Sequence, residues 1–366
     1  MLTLKFVIPR ILIKCTFKII TVTTKISYIC KCINFAAKIV QGKSRTKQIY
    51  LFLSGSRTNV PPTTKPQHTL RYATQNIDLT MKILLFGNEY QQHYAGVLRH
   101  LVDVLRRYGV EIEVERSFYQ YLRYVLGITI DKEESKPACK MDGNVALSIG
   151  GDGTFLRTAR VMAKKGVPIL GINTGHLGYL AAANVTDVEQ VAEELFGGKY
   201  KIGYRTMVEI SNNCGVEIEN TLALNEVSIL RQDNCSMLAM RTWVNGIDLT
   251  TYRGDGLVIS TPTGSTAYNL SAGGPLIEPT AQVIVLSPIS PHSLTMRPLV
   301  LRDDSVIEVE TSSRAQQYLV SLDGEAYSFP SGSAVTVRRS DTFVKVVEPF
   351  DHNFADTLRR KLMWGQ

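Results

Sequence analysis

From residue 81 onward, short apolar runs alternate with helical periodicity, and this constrains the fold more than any other feature of the chain. Ile83–Phe86 reads as a buried strand closed by Gly87-Asn88. Tyr94, Val97, Leu98, Leu101, Leu105 and Tyr108 then recur at helical spacing until Gly109. Val110, Ile112 and Val114 alternate as a second strand, a helix is expected over 116–126, and Val145–Ile149 is a third buried strand. A helix over 155–164 ends at Gly166, and Pro168–Ile172 is the fourth strand. Strands alternating with helices predict a parallel α/β sheet.

After about residue 199 the pattern becomes a series of short strands: 204–210, 216–218, 221–224, 227–230, 237–244, 257–261, 283–287, 305–310, 317–322 and 334–338. Asn245-Gly246 is a strong hairpin turn, because both residues tolerate positive φ. The fold class is therefore an α/β N-terminal domain with a parallel sheet plus a C-terminal β-rich, sandwich-like domain. Phe354, Leu358 and Leu362 mark a last amphipathic helix, with Asp351 or Asn353 as its cap. A lone terminal helix needs a surface to pack on. The expected organisation is a basic extension over 1–80, an α/β domain over 81–198, a β-rich domain over 199–346 and a closing segment over 347–366.

Charge separates the extension from the rest. Residues 1–80 carry 13 Lys and Arg against the single acid Asp78, a net +12, whereas the remaining 286 residues are at −4. The overall +8 is thus no argument for nucleic-acid binding. The extension reads as disordered or as not native protein. A transit peptide, a basic arm and an overlong reading of the gene all remain open, and the charge break before the start-like Met81 favours the last. Six scattered cysteines without a CxxC pair suggest a reducing compartment and offer no metal site. No apolar run reaches the about 18 residues of a membrane helix.

Chemistry concentrates in three blocks. Gly150-Gly151-Asp152-Gly153-Thr154 lies between the third strand and a helix, where glycines let the backbone approach a phosphate and the helix N-terminus offers free N–H groups. A carboxylate there would repel phosphate, so it needs a hydroxyl to hold or a metal to bind. The second block, Tyr252 to Pro275, is dominated by Ser, Thr and Gly around Tyr268, as in a polar pocket able to hold a purine. The third, Asn225-Glu226, suits ribose hydroxyls or a base edge but alone reads as a strand-end turn.

Together with Asn173-Thr174-Gly175-His176-Leu177-Gly178, Pro288-Ile289-Ser290-Pro291-His292, Arg297-Pro298-Leu299 and Leu322-Asp323-Gly324-Glu325, these blocks make residues 81–366 resemble the NAD kinase family. The resemblance implies phosphoryl transfer from ATP to the 2′-hydroxyl of the adenosine ribose of NAD, giving NADP. It implies that the C-terminal helix returns to the first domain. It makes Asp152 the catalytic residue, with Gly153 beside it in the same NAD contact and Arg157 near the phosphates. Asn225 and Glu226 would hold the dinucleotide, Arg253 and Asp255 would belong to the RGDG segment with Asp255 facing the nicotinamide half, and Thr266, Ala267, Tyr268, Asn269, Leu270 and Ser271 would surround adenosine. Tyr179 sits where the family places an aromatic near adenine. Glu325 stands where many relatives have Gln, and His292 is read as phosphate-side or structural, with the structural role favoured. Mg²⁺ or another divalent cation would arrive with ATP. The partners implied are NAD and ATP, without nucleic acid or membrane, in a cytoplasmic homo-oligomer (dimer or tetramer). The alternatives are a lipid kinase of the diacylglycerol or sphingosine type and a non-catalytic nucleotide sensor.

Overall fold

The computed structural model describes residues 5–8, 11–14, 81–89, 92–174, 178–232, 237–349 and 353–365. Two compact units are present, Met1–Gln75 and Asn76–Gln366. In the first, β1 (Lys5–Ile8) pairs antiparallel with β2 (Ile11–Lys14). The remainder of the 1–80 extension, and with it the expectation of disorder, lies outside the described residues.

The second unit begins with β3 (Lys82–Gly87), α1 (Ala95–Arg107), β4 (Glu111–Glu115), α2 (Arg116–Gln120), β5 (Ser135–Lys136) and β6 (Val145–Ile149). There follow α3 (Asp152–Met162), β7 (Ile169–Asn173), β8 (Ala183–Asn184) and α4 (Val188–Phe196). Strands β5-β4-β3-β6-β7 lie side by side, all parallel. Successive strand residues face opposite sides, so Ile83, Leu85, Val145 and Leu147 join a core with α1, α2 and α4. Leu84, Phe86 and Ala146 join a second core with Phe155 and Ala159 of α3. Burial on both faces explains why these strands read as unbroken apolar runs. Gly109 ends the α1 turn at φ 68°.

The β-rich half comprises β9 (Tyr200–Asn212), β10 (Leu222–Ala223), β11 (Glu226–Arg231), β12 (Leu238–Val244), β13 (Ile247–Gly254) and β14 (Gly256–Ser260). After the short α5 (Tyr268–Ser271) come β15 (Val283–Ile289), β16 (Leu299–Arg302), β17 (Ile307–Ser312), β18 (Gln317–Leu322), β19 (Glu325–Pro330) and β20 (Ser333–Pro349). An antiparallel sheet ordered β16-β15-β14-β11-β18-β19 faces the sheet that contains β13-β12-β17-β20. Their inner faces share one core, in which Val227, Ile259 and Val320 meet Val309, Val335 and Val337. Asn245 (φ 51°) and Gly246 (φ 77°) form the β12–β13 turn as expected.

Two strand expectations need correction. The strand expected at 334–338 runs on to Pro349, with a register shift between Arg339 and Phe343. It pairs with β9 along its length and reaches β7 in parallel at Val346 and Ile169. One twelve-stranded sheet thus continues from the parallel half into the sandwich, and the boundary expected at 346 falls inside a strand. Residues 216–218 form no strand. Asn212 accepts from the amides of Cys214 and Val216 and donates to the Val216 carbonyl, so its side chain replaces a ladder.

The chain closes with α6 (Phe354–Leu362), whose Asn353 cap accepts from the Asp356 amide at 2.9 Å. Lys361 of this helix donates to the carbonyls of Tyr179 and Ala181, beyond β7.

Candidate active site

The glycine loop follows β6, and Gly150 adopts φ 152°, a conformation open essentially to glycine alone. Asp152 is the first residue of α3. Its carboxylate accepts from the amides of Tyr179 at 2.8 Å and Leu180 at 3.0 Å. Gly178 makes this closeness feasible, because a Cβ there would lie 2.6 Å from Asp152 Oδ1. Residues 175–177 of the 173–178 motif lie outside the described residues. Gly153 is exposed beside Asp152. The exposed Arg157 donates to the Gly87 carbonyl at the end of β3.

Asn225 and Glu226 stand at the start of β11, both buried. Asn225 Oδ1 and Glu226 Oε2 are buried and meet no hydrogen-bond partner among the described residues. A buried polar atom left unpaired costs about 1–3 kcal/mol, so two side by side mark a place where a ligand's polar groups fit. The turn is held from beneath by Asp323, at φ 49°, whose carboxylate accepts from the amides of Leu224 (2.7 Å), Asn225 (2.7 Å) and Glu226 (3.1 Å). From the other side, the Asn225 carbonyl accepts from the Thr261 amide at 2.9 Å, and Gly264 lies so close that a Cβ would sit 2.0 Å from that carbonyl. The Tyr268 amide donates to the Glu226 carboxyl.

Arg160 of α3 joins the glycine loop's helix to this turn. It pairs with Glu325 and donates to the carbonyls of Leu322 (2.8 Å) and Asp323 (3.4 Å). Sequence reasoning missed Arg160 and Asp323. Asp323 lies within the 322–325 motif, and Arg160 is one turn beyond Arg157, so the signals were present. Lys361 had no comparable signal.

The other expected residues divide. Tyr268, Leu270 and Ser271 of α5 are exposed, and Thr266 and Ala267 are half-buried before them. Asn269 is fully buried and engaged by the chain itself: it donates to the carbonyls of Ser265 and Pro275 and accepts from Ser287. It therefore braces the loop. Arg253 is exposed at the end of β13, and Asp255 pairs with Arg231 at 2.8 Å. Exposed His292 donates its amide to the Arg253 carbonyl. A cavity of about 310 Å³ lies between Tyr179, Phe155, Leu224, Thr263, Arg205 and Phe354. The buried Tyr179 and Thr263 hydroxyls have no hydrogen-bond partner among the described residues.

Electrostatics add a testable consequence. Burial first, and the negative Asp323 second, push Glu226 up to about 8 against the Tyr268 amide. Burial also pushes Asp323 up, against its three amide donors. The folded chain keeps a proton on Glu226 that the unfolded chain releases above its ordinary value of 4.5. Stability contributed by the neutral form is therefore full below that value and declines until about pH 8, by up to about 1.4 kcal/mol per pH unit. Glu226→Gln has no proton to lose and should gain on the parent steadily between pH 5 and 8 in urea unfolding. Parallel stability–pH curves for the two proteins would overturn this assignment.

Comparison with known proteins places the geometry in context. The family model for the ATP-NAD kinase N-terminal domain matches residues 83–200, and that for the ATP-NAD kinase C-terminal domain matches 224–349. The NAD kinase of Bacteroides fragilis is 42% identical over 285 residues, spanning 78% of this chain and 98% of its own. That of Flavobacterium psychrophilum is 36% identical over 292 residues, spanning 78% and 99%. Among solved structures, yeast NADH kinase complexed with NADH shares the fold with TM-score 0.70 at 22% identity, over 78% of this chain and 88% of that one. An NAD kinase from Archaeoglobus fulgidus in complex with ATP gives TM-score 0.57 at 24% identity, over 78% and 97%.

Proposed function

The chain belongs to the NAD kinase family, and from that membership we propose that it phosphorylates the 2′-hydroxyl of the adenosine ribose of NAD with ATP, giving NADP and ADP. It is an enzyme, a phosphotransferase with an alcohol acceptor. The observation that carries the reading at residue level is a carboxylate at the mouth of a glycine loop, held by two backbone amides: Asp152 on Tyr179 and Leu180.

A ribose hydroxyl is a poor nucleophile. Asp152 would align it and take its proton as the oxygen attacks the γ-phosphorus and the bond to the ADP oxygen breaks, a service typically worth about 10²–10⁴-fold. Two hydrogen bonds from backbone amides keep the carboxylate in place and leave each oxygen a second lone pair for the hydroxyl. The N-terminus of α3 would meet the donor phosphates. Unpartnered Asn225 Oδ1 and Glu226 Oε2 would meet hydroxyls of the dinucleotide. Glu226, neutral at pH 7, can donate as well as accept. Tyr268, 37% exposed, offers a ring face to the adenosine, with Thr266, Ala267, Leu270 and Ser271 around it. Arg157, Arg253 and Asp255 complete the proposed contacts.

Among the described residues, no three His, Cys, Asp or Glu side chains gather as a metal site. A divalent cation such as Mg²⁺ would be carried in on the triphosphate, where it would neutralise phosphate charge. No helix of the described residues is long and apolar enough to cross a membrane. The proposed setting is the cytoplasm, as a homo-oligomer and without nucleic acid or membrane as partner.

The test is direct. The protein, incubated with ATP, Mg²⁺ and NAD, should form NADP that an NADP-specific dehydrogenase reports, while diacylglycerol in place of NAD remains unphosphorylated. Folded protein yielding no NADP above blank would end the proposal.

A further inference from the structure

We propose that Lys361 is a positioning residue for the Asp152 carboxylate, acting through the single peptide that joins Tyr179 to Leu180. The proposal rests on reading Asp152 as the base. Lys361 Nζ donates to the Tyr179 carbonyl at 3.1 Å and the Ala181 carbonyl at 2.7 Å. The N–H at the opposite end of the Tyr179 peptide is that of Leu180, which donates to Asp152 Oδ1 at 3.0 Å. Ammonium, carbonyl, amide and carboxylate therefore stand in one file. A cation on a carbonyl oxygen withdraws electron density and makes the attached N–H a stronger donor, by about 10–30% per bond. The second bond, to Ala181, fixes the far side of Leu180, so the amide cannot turn from the carboxylate.

The surroundings favour this role over simple anchoring. Phe354, Leu358 and Leu362 already give α6 an apolar face. Within the basic run 359–361, Arg359 pairs with Asp356 and both arginines are exposed, whereas Lys361 turns inward. Its ammonium lies 5.7 Å from the Tyr179 ring centroid, within cation–π range. Burial lowers the Lys361 pKa and the negative Asp152 opposes that shift, so the two side chains feel each other's charge. Burying an ammonium is unfavourable, and an apolar residue would anchor the helix with less penalty.

The test compares K361M, K361Q and K361R in the full chain, by steady-state kinetics and by hydrogen exchange of the Tyr179 and Leu180 amides. K361M should lose about tenfold in kcat, the loss of one charge-assisted hydrogen bond, with both KM values within about twofold. K361R should return to within about threefold of the parent, and K361Q, a neutral donor, should fall between. Protection of the Leu180 amide should fall about tenfold in K361M. Should K361M not fold, K361Q carries the same comparison. Parental kcat in folded K361M or K361Q, or K361R as impaired as K361M, would overturn the proposal. A parent chain that makes no NADP would overturn the assigned reaction, and unchanged Leu180 protection in the variants would overturn the relay independently.

Discussion

Asp152→Asn should lower kcat by about 10²–10⁴ and leave the affinities for NAD and ATP within about threefold. Asparagine retains the size and one acceptor oxygen but takes no proton at neutral pH. The local geometry sharpens the expectation. Both oxygens of Asp152 face backbone donors, at 2.8 Å from Tyr179 and 3.0 Å from Leu180. An amide side chain would direct its NH₂ at one of those N–H groups, so one hydrogen bond is lost along with the base. Removing a negative charge near the triphosphate would not weaken ATP binding. Single-turnover measurement separates the roles. A fall in kcat below about threefold excludes Asp152 as the base, whereas lost NAD binding with near-normal turnover at saturation reduces it to a positioning group.

Asp323→Ala should cost about 3–5 kcal/mol of stability and raise KM for NAD by at least about tenfold. The carboxylate is the acceptor for three consecutive amides, those of Leu224, Asn225 and Glu226. Truncation leaves these buried donors unpaired, at about 1–3 kcal/mol each before relaxation. Alanine also dislikes the positive φ of 49° that Asp323 adopts. Against this stands relief of the burial cost of the Asp323 carboxylate, which keeps the net loss below the simple sum. Asp323→Asn should lose less, since asparagine tolerates that φ and retains one acceptor. Urea unfolding at pH 7 and NAD titration check both variants. Stability within about 0.5 kcal/mol of the parent, with an unchanged KM, would show that the clamp is dispensable.

These expectations differ in where they could be read. The sequence by itself determined the local features: the strand–helix alternation before residue 173, the strand–glycine loop–helix junction at 149–154, the Asn245-Gly246 turn and a last-helix cap at Asp351 or Asn353, of which the structure uses Asn353. Each depends on neighbours a few residues apart, so periodicity and backbone preference suffice. The order of the motifs also made the family recognisable. Tertiary structure alone decided how far the strand at 333–349 runs, because its second half is stabilised by β9 and β7 rather than by its own pattern. It decided that Asn269 braces its own loop. It brought Arg160 to Glu325 and Lys361 to Tyr179, contacts across 165 and 182 positions of chain. Whether a carboxyl is held by amides or left with an unpaired oxygen depends on which distant backbone groups pack against it. That packing is why Asp323 grips three amides while Glu226, on the turn it grips, keeps one oxygen unpaired.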